Sequence, residues 1–225
     1  NNAGTFTHNS GTVTMTGSSK NITGGSATTF NNLTISGTTG IDAAGRAATV
    51  ASLLTVDNTK TLTINSGRIV TLSGTSGTTL SLVGTITGAG RLTYKNNATA
   101  FPATGTISSI LRMDATAGDQ SIGGTNSATR TFGGLVEIYS NSAGTAKTVT
   151  FENGTARTFA FSGNLYVIAD NTQNLTLTAD TATDPTVTVA GDLDFTGTGG
   201  GSESITSGSG TWTVTGNVDF TGGSY

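Results

Sequence analysis

The sequence predicts an all-β fold, a parallel β-solenoid of about nine coils, from three observations. Charged residues make up only 10% of the 225 residues, against about 25% in ordinary globular domains. Short bursts of alternating polar and apolar residues run through almost the whole chain, as strands with one buried face require. Matching segments also recur every 20 to 31 residues, as expected when coils of similar sequence stack on one another.

The composition favours strands and turns and leaves little material for helices. Thr and the β-branched apolar residues favour strands, whereas Asn and the 33 glycines favour turns. We expect Gly at corners that need a positive φ. Stacking also explains the scarcity of charge, because a charged side chain at a repeated position would lie about 5 Å from its copy in the next coil.

Each predicted strand is a burst of three to five alternating residues that Gly, Asn, Asp or Ser closes. Clear examples are residues 62–64, 175–177, 187–189 and 212–214. Such bursts are typical of short strands with one buried and one solvated face.

An internal repeat gives these strands an order. Residues 186–197 and 211–222 share the frame TxTVxGxxDFTG at an offset of 25. A weaker copy at 158–167 precedes the first of these at an offset of 28, and residues 134–138 fit the same frame at an offset of 29. We therefore expect consecutive copies to lie beside one another in neighbouring coils.

One pair of apolar residues, two positions apart, can be followed along the chain as a repeating rung. Its nine copies are Val13/Met15, Leu33/Ile35, Leu54/Val56, Leu80/Leu82, Leu111/Met113, Val136/Ile138, Leu165/Val167, Leu193/Phe195 and Val218/Phe220. Further alternating segments lie between the rungs, which predicts two or three strands per coil. Residues 1–225 are expected to form a single solenoid module. The alternative is a set of tandem β-sandwich domains, whose short strands would give a similar alternation.

Both ends of the sequence resemble interior repeats. Residues 11–17 echo residues 216–222, and no polar or helical cap is apparent at either end. Open sheet edges pair readily with other strands. We therefore expect the module to continue into further copies, or its ends to stack on neighbouring copies as a filament.

Few residues suit catalysis or nucleic-acid binding. The chain has no Cys, one histidine (His8), which occupies the position of Val214 in the matching coil, and a net charge of −3 without a basic cluster. Disulfides, thiolate metal sites and nucleic-acid partners are therefore not expected. The apolar runs are also too short to span a membrane. We expect a protein that is not an enzyme, without catalytic residues.

Three carboxylates form the one candidate ion site. Asp192 and Asp194 alternate with Leu193 and should share the outer face, and Asp219 repeats Asp194 one coil later. Their oxygens suit Ca²⁺, and no other cofactor is expected; as neighbouring carboxylates they would also suit a polysaccharide-degrading enzyme. The structural interpretation is a solvated face at the ends of strands. A second candidate is a sugar-binding strip of Tyr94, Tyr139, Tyr166 and Tyr225, if these side chains are exposed on one side; the structural interpretation is that they cap the edges of the core.

The phrases GTFTHNSGTVTMTG, TTFNNLTISG, LLTVDNTKTLTINSG and GTWTVTGNVDFTGG resemble those of bacterial β-strand-repeat surface proteins. These are broadly similar to filamentous-haemagglutinin-like and autotransporter-type adhesins. The resemblance implies a right-handed β-helix at the cell surface or secreted, and it supplies no catalytic residues. The first expected function is a structural module of an extracellular fibre, stalk or filament that binds copies of itself. The second is an adhesin or glycan-binding module, and the third a polysaccharide-degrading enzyme.

Overall fold

The computed structural model describes residues 4, 6–41, 47–102, 104–124, 129–153, 158–179 and 184–221. The chain is an all-β parallel β-solenoid of about seven turns, which confirms the predicted fold with slightly fewer coils than the nine expected. Among the described residues the only helical segment is a 3-10 turn at Ala115–Ala117. This agrees with the lack of helical patterns in the sequence.

The chain divides into two compact units, residues 1–96 with 104–111 and residues 97–103 with 112–225. The strands of the first unit are β1 (Thr12–Met15), β2 (Lys20–Ile22), β3 (Thr28–Ile35), β4 (Thr38–Ile41), β5 (Ala48–Val56), β6 (Thr61–Ile64), β7 (Ile69–Leu72), β8 (Leu80–Leu82), β9 (Thr85–Thr87), β10 (Arg91–Tyr94) and β11 (Thr106–Ile107).

The second unit holds most of β12 and all later strands. They are β12 (Ile110–Asp114), β13 (Gln120–Gly124), β14 (Arg130–Phe132), β15 (Val136–Ser140), β16 (Lys147–Asn153), β17 (Thr158–Phe161), β18 (Leu165–Ala169), β19 (Leu175–Ala179), β20 (Thr186–Val189), β21 (Leu193–Phe195), β22 (Glu203–Thr206), β23 (Trp212–Val214) and β24 (Val218–Asp219).

The first unit is built from two parallel sheets. One has the order β1-β3-β5-β7-β10, with β8 also paired to β5, and the other has the order β2-β4-β6-β9-β11. The predicted rung holds here, because Leu33 pairs with Val13 on one side and Leu54 on the other. Leu54 in turn pairs with Leu80, so the predicted register is confirmed as far as Leu80/Leu82.

The predicted rung misses the next row of the first unit, which is formed by β7 and β10. Strand β5 is long enough to pair with two strands, with β7 along its first residues and with β8 along its last. The sheet then continues from β7 to β10, where Leu72 pairs with Tyr94. The sequence pattern assumed one apolar pair per coil, whereas β5 pairs with two later strands. For this reason the pattern did not predict the row formed by β7 and β10.

The second unit adds a third sheet. Its sheets have the orders β12-β15-β18-β21-β24, β14-β17-β20-β23 and β13-β16-β19-β22, so each coil contributes one strand to each. The two sheets of the first unit and three of the second confirm the expectation of two or three strands per coil. All strand pairs in the described residues are parallel, as a solenoid requires.

The offsets between repeats in the sequence match the register in which the strands of the second unit pair. Leu165 pairs with Val136 at the predicted offset of 29 and with Leu193 at 28, and Leu193 pairs with Val218 at 25. The rung side chains from β15 to β21 are buried. Phenyl rings stack across neighbouring coils, with centroids 5.1 Å apart for Phe132 and Phe161. The core is thus a set of apolar columns between adjacent coils.

A polar ladder at one corner also joins the coils of the second unit. The Asn164 side-chain oxygen accepts the backbone N–H of Asp192 at 3.0 Å. The Asp192 carboxylate in turn accepts the N–H of Asn217 at 2.8 Å. These three residues, here called the corner ladder, occupy equivalent positions in successive coils. In each contact the earlier coil supplies the oxygen and the later coil the N–H, so the ladder has a direction.

Glycines stack directly before the corner ladder, at Gly163, Gly191 and Gly216. A Cβ on Gly191 would lie 2.8 Å from the Gly163 carbonyl carbon, and one on Gly216 would lie 2.6 Å from the Gly191 oxygen. None of the three has a positive φ. Seven described glycines, among them Gly67 and Gly88, have the expected positive φ, but the expectation is wrong for this column. Glycine is required there because neighbouring coils approach too closely to leave room for a side chain.

Candidate functional site

The three candidate calcium ligands lie near one another on the outside of the second unit. Asp194 on β21 pairs in register with Asp219 on β24, as the offset of 25 predicted. Asp192 lies just before β21, at the corner. Burial raises the pKa of Asp194, and the neighbouring carboxylates of Asp192 and then Asp219 raise it further.

Two of these carboxylates already accept hydrogen bonds from the backbone. Asp192 accepts the Asn217 N–H as part of the corner ladder. Asp219 accepts the backbone N–H of Thr221 at 2.8 Å, and hydrogen bonds from Thr221 hold its pKa below the ordinary value. Within the described ranges, no group of three or more His, Asp or Glu side chains is placed to hold a metal ion. Calcium binding at these residues stays a prediction for measurement.

The outer face of the first sheet in this unit carries a second polar cluster, here called the outer patch: Arg112, Glu137, Tyr139, Tyr166 and Asp194. The Arg112 Nε lies 2.5 Å from a Glu137 carboxylate oxygen, and its guanidinium lies 3.9 Å from the Tyr139 ring centre. Tyr166 pairs with Glu137 on one side and Asp194 on the other. The patch therefore places two tyrosines beside carboxylates on consecutive strands.

The predicted strip of four tyrosines is not formed as such. Tyr94 is 1% exposed in the core of the first unit, since it follows Leu92 on β10 at a core-facing position. Tyr139 and Tyr166 are half-buried on the outer patch, and burial, followed by the charge of Asp170, raises the pKa of Tyr139. Tyr225 lies outside the described residues.

The last described coil of the second unit exposes its interior. A cavity of about 580 Å³ opens there, and its apolar walls are Leu193, Phe195, Ile205, Trp212, Val214 and Phe220. On β24, Val218 is 45% exposed, and the next residue but one, Phe220, is 47% exposed. These residues continue columns that are buried in the preceding coils, so the cavity is the uncovered end of the core. It is called the open end below.

A buried carboxylate lies at the open end. Glu203 is only 2% exposed and pairs with the apolar Leu175 of the preceding coil. Its Oε1 accepts the N–H of Ala169 at 2.9 Å, whereas its Oε2 is buried with no hydrogen-bond partner in the described part of the chain. Glu203 was not among the predicted site residues, although a Glu where the matching strand has Leu was a usable signal.

The first coil of the first unit also has exposed apolar groups. Strand β1 has no buried residue, and Phe6 is 39% exposed with its ring 5.5 Å from that of Phe30. A cavity of about 220 Å³ lies beside them, next to Met15 and Ile22. His8 accepts the backbone N–H of Ser10 at 3.0 Å, which agrees with its interpretation as a structural residue.

Comparison with known proteins gives no relative for this chain: no protein-family model, curated protein or solved structure matches it. Among the described residues, no helix is long and apolar enough to cross a membrane.

Proposed function

We propose that this protein is a structural repeat module of an extracellular fibre, stalk or filament that assembles by β-strand stacking. One observation carries the proposal: the open end exposes the same apolar columns that join the coils below it. An exposed strand edge with an apolar surface is a strong template for another strand. The extracellular or cell-surface location rests on the resemblance to bacterial surface proteins.

The polar side chains support a shape-holding role. Asn164, Asp192 and Asn174 each bond a backbone N–H in the next coil. Thr176 and Ser204 share a hydrogen bond between coils at 3.0 Å. Side chains that are engaged in stacking contacts in this way contribute to rigidity and leave little free chemistry for a substrate.

The direct test is concentration-dependent assembly of the purified protein, followed by light scattering and electron microscopy. We expect filaments whose assembly is blocked by Val218→Arg, because Arg would place a charge on the open end. Val83→Arg is the matched control, since Val83 is a valine of similar exposure, 55%, between β8 and β9. A protein that stays monomeric at every concentration would contradict the proposal.

A second candidate function is glycan binding on the outer patch. Tyr139 and Tyr166 present partly exposed rings beside the carboxylates of Glu137 and Asp194, and stacking rings with nearby acceptors suit sugar rings and hydroxyls. Saturable binding on a glycan array, lost in Tyr166→Ala and kept in Thr176→Ala on another sheet, would support an adhesin. Binding that survives Tyr166→Ala would count against it.

A further inference from the structure

The open end has a shape and polarity that fit one specific partner. We propose that it receives the first coil of a second copy of this chain, head to tail, with β1 of the incoming copy adding to β24. This inference rests on the proposed function and specifies the partner surface and its register.

The apolar columns agree with this register. In the sequence frame shared by residues 11–17 and 216–222, Val13 corresponds to Val218 and Met15 to Phe220. Val13 and Met15 are only half-buried on β1, and Val218 and Phe220 are exposed at the open end. Stacking in register would cover all four side chains and continue the column of Leu193 and Phe195. Phe6 would approach Trp212, its equivalent in the preceding frame.

The corner ladder gives the contact its direction. Each earlier coil offers a side-chain oxygen, and each later coil donates the backbone N–H of the equivalent residue. The side-chain oxygen of Asn217 is the next one in this series, and the proposed register places the backbone N–H of Thr12 opposite it. Two open ends facing each other would bring oxygen against oxygen instead. The ladder therefore favours a head-to-tail contact, the kind that produces an open filament when its rotation does not close into a ring.

The charges favour the same contact. After residue 157 the chain contains seven acidic residues and no Lys or Arg, whereas residues 1–41 contain Lys20 and no acidic residue. In the proposed register Asp219 faces the uncharged Thr14, so the row of Asp194 and Asp219 gains no third carboxylate. Contact between two acidic ends would add repulsion between like charges.

Glu203 favours a partner that carries hydrogen-bond donors over a lipid or another purely apolar surface. Its Oε2 is buried at the cavity without a partner in the described residues. The burial of this oxygen already carries a cost in free energy, which an apolar occupant would not relieve. An incoming strand carries N–H groups and hydroxyls that can donate to it.

The absence of native cysteine allows a test by disulfide formation. Thr14→Cys and Asp219→Cys are introduced into separate chains, both at exposed positions, and the two proteins are mixed under mild oxidation. Paired residues of adjacent strands lie about 4.8 Å apart, within the Cα separation of about 4.4–6.8 Å that a disulfide needs. We expect a covalent heterodimer from the mixture and much less from either protein alone.

The control pairs Asp219→Cys with Thr12→Cys, which is displaced by two residues, about 6.6 Å along the strand, and should crosslink far less. Filaments without the crosslink between positions 14 and 219 would overturn this register and leave the proposed function standing. A covalent homodimer of the Asp219→Cys protein as the main product would overturn the head-to-tail polarity. If the unmodified protein does not associate at all, both proposals fail.

Discussion

Truncation of one rung side chain tests whether stacking is the main source of stability. Leu165 has no exposed surface and lies between Val136 and Leu193 of the neighbouring coils. Leu165→Ala removes the equivalent of three methylene groups, or about 2.4 kcal/mol of transfer free energy at about 0.8 kcal/mol each. The cavity left between two fixed coils adds to this, and we expect a total loss of about 3 kcal/mol.

Val218→Ala is the matched substitution at the end of the same column. Val218 is 45% exposed and pairs with Leu193 on one side only, with no strand beyond β24 among the described residues. It loses fewer carbons, from a site that is already partly in water. We therefore expect a loss of free energy below about 1 kcal/mol in the unassembled protein.

Urea denaturation measures both changes, with circular dichroism for the whole chain and the fluorescence of Trp212, the only tryptophan, for the last coils. Repeat proteins can unfold in segments, and a difference between the two signals would reveal this. Equal losses for Leu165→Ala and Val218→Ala, or a loss below about 1 kcal/mol for Leu165→Ala, would refute the stacking account.

Four further predictions concern the corner and the carboxylates. Gly191→Ala should cost about 2 kcal/mol or more because its Cβ would overlap the coil below, whereas Gly144→Ala, with open space around it, should be nearly neutral in the same melts. Asn164→Ala should cost about 1–2 kcal/mol, because it removes both the bond accepted from the Asp192 N–H and the bond donated to the Tyr166 hydroxyl. Asn164→Asp should cost less, because a carboxylate still accepts the backbone N–H, as Asp192 does one coil later. The raised pKa of Asp194 means that the folded state binds its proton more tightly than the unfolded state, so this group lowers stability as pH rises above about 4. Melting temperatures between about pH 3 and 6 should show that Asp194→Asn removes this decline. Calcium binding would raise the melting temperature, with reversal by EGTA and loss in Asp194→Asn, and an unchanged melting temperature would exclude the site.

The sequence was sufficient for the parts of the fold that repeat. The rung from Val136 to Val218 and its offsets were predicted correctly, because each coil must place apolar residues over those of the last. The same pattern failed at β5, where one strand pairs with both β7 and β8. Pairing of this kind depends on how the chain bends between strands, which periodicity does not encode.

The site residues also divide into those whose positions follow from the repeat and those whose contacts depend on the local backbone. The proximity of Asp194 and Asp219 follows from the offset of 25, so their pairing was predictable. The hydrogen bonds that engage Asp192 and Asp219 depend on the local backbone at a corner and at a strand end. The burial of Tyr94 could not be predicted, because a tyrosine can lie on either face of a strand. The requirement for glycine at Gly191 also could not be predicted, since it depends on the distance between coils.

The corner ladder has an evolutionary consequence. Equivalent residues of successive coils make the same kind of contact. If one whole coil were removed or duplicated, the backbone N–H at the new junction would still face a side-chain oxygen at the equivalent corner. In-frame duplications of about 25 to 29 residues, the offsets of the second unit, should therefore be tolerated far better than insertions of other lengths. Natural variants of this protein are expected to differ in length by whole coils.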